Sequence, residues 1–342
     1  MALTLSNAHE AILTVLKAGL TPILLGQPGI GKSDLMRRIA KELNVKLIDM
    51  RLAQCEPTDL LGFPSVQGDK GRYTPMETFP LETDPIPAGY KGWLLFLDEL
   101  PNANTHVQLA AYKLILDREV GNHKLHENCF IVSAGNREQD ECFVQPMPSA
   151  LKSRMVHLEL EMNANEWIDY AIKSGMDYRV TSFIAFDKSK LHSEYKDSEE
   201  SSYACPRTWD FVSRLIIDKG DIANPVMRNI LNGTVSSPVT TEFLAYVKYF
   251  DKLPTYAQVI KDPLKTKIAD KYDLGLIWAT IAMLNANFAL KDLSNVMKYV
   301  ERLPEEYQLI FVKYLATKHP TGVLEHPDMA EWIDKIVNMM WT

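Results

Sequence analysis

At 342 residues and 38.8 kDa the chain is too long for one ordinary core, which points to two or three packed units. Its apolar fraction of 46% and charged fraction of 24% are those of an ordinary soluble globular protein. A formal net charge of -7 excludes whole-molecule attraction to nucleic acid or anionic lipid, although a local basic channel is compatible with an acidic average.

The opening MALTLSNAHEAIL lacks the basic start and cleavage site of a signal peptide. Ser6 or Asn7 is placed to cap a short helix carrying Ala8, Ile12, Val15 and Leu16 at helical spacing. Residues 21–25 read as a buried strand ending at Gly26, 33–43 as a helix and 45–50 as a second strand. From 51 to 92 the character changes. Six of the 19 prolines fall between Pro57 and Pro87, and five glycines between Gly62 and Gly92. A loop-rich insertion of this length inside a compact domain is often functional.

Residues 93–97 form an uninterrupted apolar run, the pattern of a strand buried on both faces of a parallel sheet. Residues 104–116 read as a helix, 129–133 as a strand, 150–154 as a short helical turn and 155–160 as a last strand. This alternation predicts an open parallel α/β sheet with helices on both faces, occupying residues 1–162. Beyond it the strand signal fades, and 165–173, 180–186 and 206–217 read as helices. The polar stretch 188–202, with Asp197, Glu199 and Glu200, reads as a solvated loop. From Thr241 onward the pattern is helical, punctuated by Pro254, Pro263, Pro304 and Pro320. The expected layout is therefore a small all-α domain over 163–235 and a helical C-terminal segment over 236–342. Trp278, Met283 and Phe288 are expected in its core.

Four cysteines, Cys55, Cys129, Cys142 and Cys205, show neither C-x-x-C nor zinc-ligand spacing and read as reduced thiols, which fits the cytoplasm. His123 and His126 lack an acidic or cysteine partner and read as part of a solvated loop. No apolar run approaches the ~20 residues that a membrane helix needs.

GQPGIGKS, residues 26 to 33, matches G-x-x-x-x-G-K-[ST] without a mismatch and lies between a strand and a helix. Gly26, Gly29 and Gly31 let the backbone curl so that its N–H groups, with those of Gln27, Pro28's neighbours and Ile30, surround a phosphate. Lys32 reaches the β- and γ-phosphates of ATP, and the Ser33 hydroxyl is a ligand for Mg2+. Asp34 follows in the first turn of a helix whose positive end faces the same anion.

The strand within WLLFLDEL, residues 93 to 100, delivers Asp98 and Glu99 at its C-terminal end, where open α/β sheets bind ligands. Asp98 is the expected holder of the magnesium ion, and Glu99 the group that orients and deprotonates a water. Asn136 follows an apolar strand, so its amide is placed to hold that water near the γ-phosphate. Arg154 ends a short helix and Arg207 opens another; taken singly, such arginines are usually solvated or ion-paired.

With these motifs in order, the chain resembles an AAA+ ATPase, and within that superfamily the MoxR-type group. GQPGIGKS resembles the Walker A element, FLDEL the Walker B element, and SAGN, ending at Asn136, sensor 1. ALKSR, ending at Arg154, resembles the arginine-finger helix, and CPRTWDFVSRL the sensor 2 helix with Arg207 as its arginine. DLLGFP at 59 to 64 looks like the helix-2 insertion, while DELPNAN and LILDREVG fit the helix after Walker B. Met155 departs from the group, which usually has Phe there. The resemblance covers about residues 1 to 218.

The resemblance implies an ATP-driven ring, usually a homohexamer, with Arg154 reaching into the neighbour's site and Arg207 coupling a helical lid to the nucleotide. It further implies a protein client, often beside a partner bearing a von Willebrand factor A domain. A hexameric nucleic-acid motor is the competing expectation, and the early position of the phosphate loop counts against it. A non-hydrolysing switch is a third, and Glu99 with Arg154 counts against that.

Overall fold

A computed structural model describes residues 2–137, 145–193, 202–323, 325–329 and 332. Cys142 and the acidic group Asp197, Glu199 and Glu200 lie outside the described residues. The chain divides into two compact units, Met1–Asn163 and Ala164–Thr342.

In the first unit, α1 (Leu5–Lys17) precedes β1 (Thr21–Leu25), α2 (Lys32–Leu43) and β2 (Lys46–Arg51). Residues 5–7 are already helical, so the cap is Thr4, not Ser6 or Asn7; the Thr4 hydroxyl accepts from the Asn7 N–H at 3.4 Å. The insertion is more ordered than its proline and glycine content suggests. It holds α3 (Pro57–Leu61) and an antiparallel hairpin of β3 (Phe63–Gln67) and β4 (Lys70–Thr74).

Next come β5 (Trp93–Asp98), α4 (Thr105–Leu116), a small hairpin of β6 (Glu119–Val120) and β7 (His123–Lys124), β8 (Cys129–Gly135), α5 (Ser149–Lys152) and β9 (Met155–Glu159). His126 is half-buried rather than solvated: it packs against Trp93 in a tilted arrangement, with ring centroids 5.0 Å apart, and its Nδ1 accepts from the Asn128 N–H at 3.0 Å.

Five strands form an open parallel sheet in the order β2-β5-β8-β1-β9. Every residue of β5 is buried, because helices cover both faces. Leu94 and Phe96 pack with Leu35, Met36 and Ile39 of α2, while Leu95 and Leu97 pack with Val107, Ala111 and Leu114 of α4. The strand order has a direct consequence for function. β5, β8 and β1 are adjacent and point the same way, so Asp98, Asn136 and Gly26 emerge side by side at the C-terminal ends of the three inner strands.

The second unit is helical: α6 (Ala164–Lys173), α7 (Tyr178–Phe186), α8 (Pro206–Ile216), α9 (Pro225–Val235), α10 (Ser237–Val247), α11 (Tyr256–Lys261), α12 (Leu274–Asn287), α13 (Leu293–Val300) and α14 (Glu305–Lys318). Met283 is buried in its core, and Trp278 and Phe288 pack partly buried against it. Asp177 and Arg179 form a buried ion pair at 2.7 Å, and the guanidinium also reaches the carbonyls of Ile216 and Lys219, each at 2.8 Å. Such pairing is what makes a buried arginine tolerable. Among the described residues, no helix is long and apolar enough to cross a membrane.

Candidate nucleotide site

The loop from Gly26 to Gly31 links β1 to α2. Gly31 has φ 106°, a left-handed conformation that a side chain rarely adopts, and its carbonyl accepts from the Leu35 N–H at 3.0 Å to begin the helix. Ile30 is buried in the core, while Gln27, Pro28 and Gly29 are half-buried at the loop's rim. Asp34 is exposed and pairs with Arg37 one turn along.

Lys32 is 8% exposed, and its ammonium ties the loop together. Nζ donates to the Gly26 carbonyl at 2.5 Å, the Gln27 carbonyl at 3.1 Å and Asn136 Oδ1 at 3.1 Å. Ser33 Oγ donates to Asp98 Oδ2 at 3.1 Å, and Asp98 Oδ1 accepts from the Glu99 N–H at 2.9 Å. One hydroxyl and one carboxylate thus face each other at the helix start, an oxygen-only set suited to a hard cation such as Mg2+. Glu99 is half-buried, with φ 60°.

Asp49 joins this region from β2, where it stands opposite Phe96 on the strand carrying Asp98. Burial pushes its carboxyl above the usual range, and the charge of Asp98 adds to the rise, against Arg51 and Arg37, which oppose it. Sequence reasoning missed it. The visible signal was one acid in an otherwise apolar stretch of strand.

Gly135 sets the spacing between Asn136 and the Walker B-like turn. A Cβ there would lie 2.1 Å from Pro101 Cδ, so the strand and the turn approach as closely as two backbones and a proline ring allow. Gly135→Ala is expected to lower stability by about 1–3 kcal/mol, the usual effect of overpacking. Denaturant titration checks it; an unchanged midpoint contradicts the close approach.

Among the described residues, Arg154 makes no hydrogen bond to the phosphate loop of its own chain. Its Nη1 donates to the Ala150 carbonyl at 2.6 Å and to Ser153 Oγ at 3.3 Å, and its guanidinium lies over the Tyr112 ring at 4.8 Å. Arg207, in the helical unit, is exposed at the second position of α8 and makes no hydrogen bond or ion pair among the described residues.

Residues 22–155 match the model of the AAA domain, dynein-related subfamily. No curated protein matches the chain. Solved structures with a similar chain path include the Thermotoga maritima RuvB Holliday junction branch migration motor, at 18% identity and TM-score 0.38, covering 76% of this chain and 76% of that one. A proline-to-glycine mutant of Thermotoga maritima RuvB gives 17% identity and TM-score 0.41 over 77% and 79% of the two chains. A lysine-to-arginine mutant gives 16% and 0.40 over 89% and 87%.

Proposed function

We propose that this protein, whose residues 22–155 match the AAA domain model, is an AAA+ ATPase that binds ATP with Mg2+ and hydrolyses it as a subunit of a ring, to remodel or activate a protein client. The observation that carries the reading is the meeting of Lys32, Ser33, Asp98 and Asn136, from three separate segments, at the C-terminal ends of the inner strands.

Each residue has a part in the proposal. The loop from Gly26 to Asp34 wraps the phosphates, and Lys32 moves from the loop carbonyls to the β- and γ-phosphate oxygens. Ser33 and Asp98 hold the magnesium ion, which supplies positive charge against the phosphates. Glu99 accepts the proton of the attacking water, and Asn136 orients that water. Arg154 completes the neighbour's site, so the assembly is a homo-oligomer, a hexamer by the MoxR-type resemblance. Arg207 couples a helical lid, 163–235, to the nucleotide, with 236–342 as a further segment. The client, beside a partner with a von Willebrand factor A domain, is met in the cytoplasm.

Glu99→Gln tests this reading. It keeps the shape of the site and removes the base, so ATP binding is expected to persist while turnover falls about 10²–10⁴-fold. Turnover at the wild-type rate would overturn hydrolysis by this route. The same variant, stalled with ATP bound, is the bait with which to recover the client.

A further inference from the structure

The guanidinium of Arg154 is held in one orientation by its own chain. Nη1 is occupied by the Ala150 carbonyl at 2.6 Å and Ser153 Oγ at 3.3 Å. Nε is buried without a hydrogen-bond partner, and the face of the group lies over the Tyr112 ring, 4.8 Å from its centroid. Nη2 makes no hydrogen bond among the described residues, so it is the donor left for an acceptor outside the subunit.

Tyr112 is fixed from below. It stands on α4 between the buried Ala111 and Leu114 and packs, half-buried, against the core on that side of the sheet. Its hydroxyl makes no hydrogen bond among the described residues, so what it offers Arg154 is the ring face. A π face attracts a guanidinium, and it also displaces water from one side of the charge, which strengthens that charge toward an anion on the other side. A free arginine has many rotamers to lose before it can act; one resting on a ring and pinned through Nη1 has lost most of them already.

We propose that Tyr112 is a positioning residue for Arg154, seating the guanidinium so that Nη2 faces the nucleotide of the neighbouring subunit. This rests on the reading of Arg154 as a group that acts across the ring. Tyr112 touches neither nucleotide nor water itself.

The test is steady-state ATP turnover by the full chain carrying Tyr112→Phe, Tyr112→Leu, Arg154→Ala or the last two together. Thermal melting confirms that each is folded. Tyr112→Met, with an unbranched apolar chain, replaces leucine if leucine unsettles α4. Removing the ring is expected to lower kcat about three- to thirtyfold, the range of a partly desolvated cation–π contact, with KM for ATP unchanged. Phenylalanine keeps the ring and stays within about twofold of wild type. In the Arg154→Ala background, the leucine change has no further effect, because nothing is left to position.

Wild-type kcat for the leucine variant overturns the proposal. So does a phenylalanine variant as impaired as leucine, or a leucine effect that persists in full without Arg154. If Arg154→Ala itself turns over normally, the ring reading fails first and takes this inference with it. A silent Arg154→Ala beside an unaffected Tyr112→Leu overturns the role of Tyr112 alone.

Discussion

Arg154→Ala is expected to cut ATP turnover about a thousandfold or more while leaving nucleotide binding intact. The two effects separate because the binding groups and this arginine belong to different neighbourhoods of the chain. Lys32, Ser33, Asp98 and Asn136 are bonded to one another or to the loop, whereas Arg154 is bonded to Ala150 and Ser153 and rests on Tyr112. Losing the guanidinium forfeits its two Nη1 bonds, but the Ala150 carbonyl keeps a donor in the Ser153 hydroxyl at 3.2 Å. Mixing gives the sharper measurement. Subunits with Arg154→Ala lack the donated charge but keep a phosphate loop; subunits with Lys32→Ala lack the loop's cation but keep the arginine. If sites are shared between neighbours, the mixture regains part of the turnover that neither variant shows separately. A mixture as inactive as its components contradicts action across subunits.

Lys32→Ala is expected to weaken ATP binding about a hundredfold and to abolish measurable turnover, from the loss of charge-assisted bonds to phosphate. The structure adds a second reason. The ammonium, at 8% exposure, is what the carbonyls of Gly26 and Gln27 and the amide oxygen of Asn136 now bond to, at 2.5, 3.1 and 3.1 Å. Alanine leaves these three acceptors facing one another in a confined loop with no donor between them, so the loop loses its preformed shape along with its charge. Calorimetric titration with ATP and Mg2+ reads the affinity. An affinity within about threefold of wild type would mean that the phosphates sit elsewhere.

The α/β half was legible in the sequence because its central strands, β1, β5 and β8, are buried on both faces. They appear as apolar runs whose ends match the reading or differ from it by one or two residues, and β9, half-exposed, ends one residue short of it. The hairpin of β3 and β4 was not legible, for the converse reason: β4 is exposed throughout, and Phe63 and Val66 stand 63% and 81% exposed, so no alternation of buried and polar residues marks it. Helix α9 was missed although Asn224 and Pro225 announce it, the asparagine side chain accepting from the Met227 N–H at 3.0 Å.

At the site, motif spacing named Lys32, Ser33, Asp98 and Asn136, but their meeting depends on a strand order that local pattern does not carry. Tyr112 was read only as part of a helix. Its pairing with Arg154, forty-two positions away, requires α5 to pack near α4, and no periodicity encodes that.

Glu99 has φ 60°, where an ordinary side chain crowds its own backbone and the conformation costs of order 1–3 kcal/mol. Glycine, asparagine or aspartate would rest there more easily. The turn is kept in shape by its neighbours: Asp98 Oδ1 accepts the Glu99 N–H at 2.9 Å, and the Glu99 carbonyl accepts the Asn102 N–H at 2.9 Å. The protein therefore surrenders some folding stability at the residue that its proposed chemistry needs most, in return for a carboxylate with one more methylene of reach. That surrender is affordable only because the strand leading into it is sealed on both sides; a looser sheet would let the backbone relax to negative φ and swing the acid away.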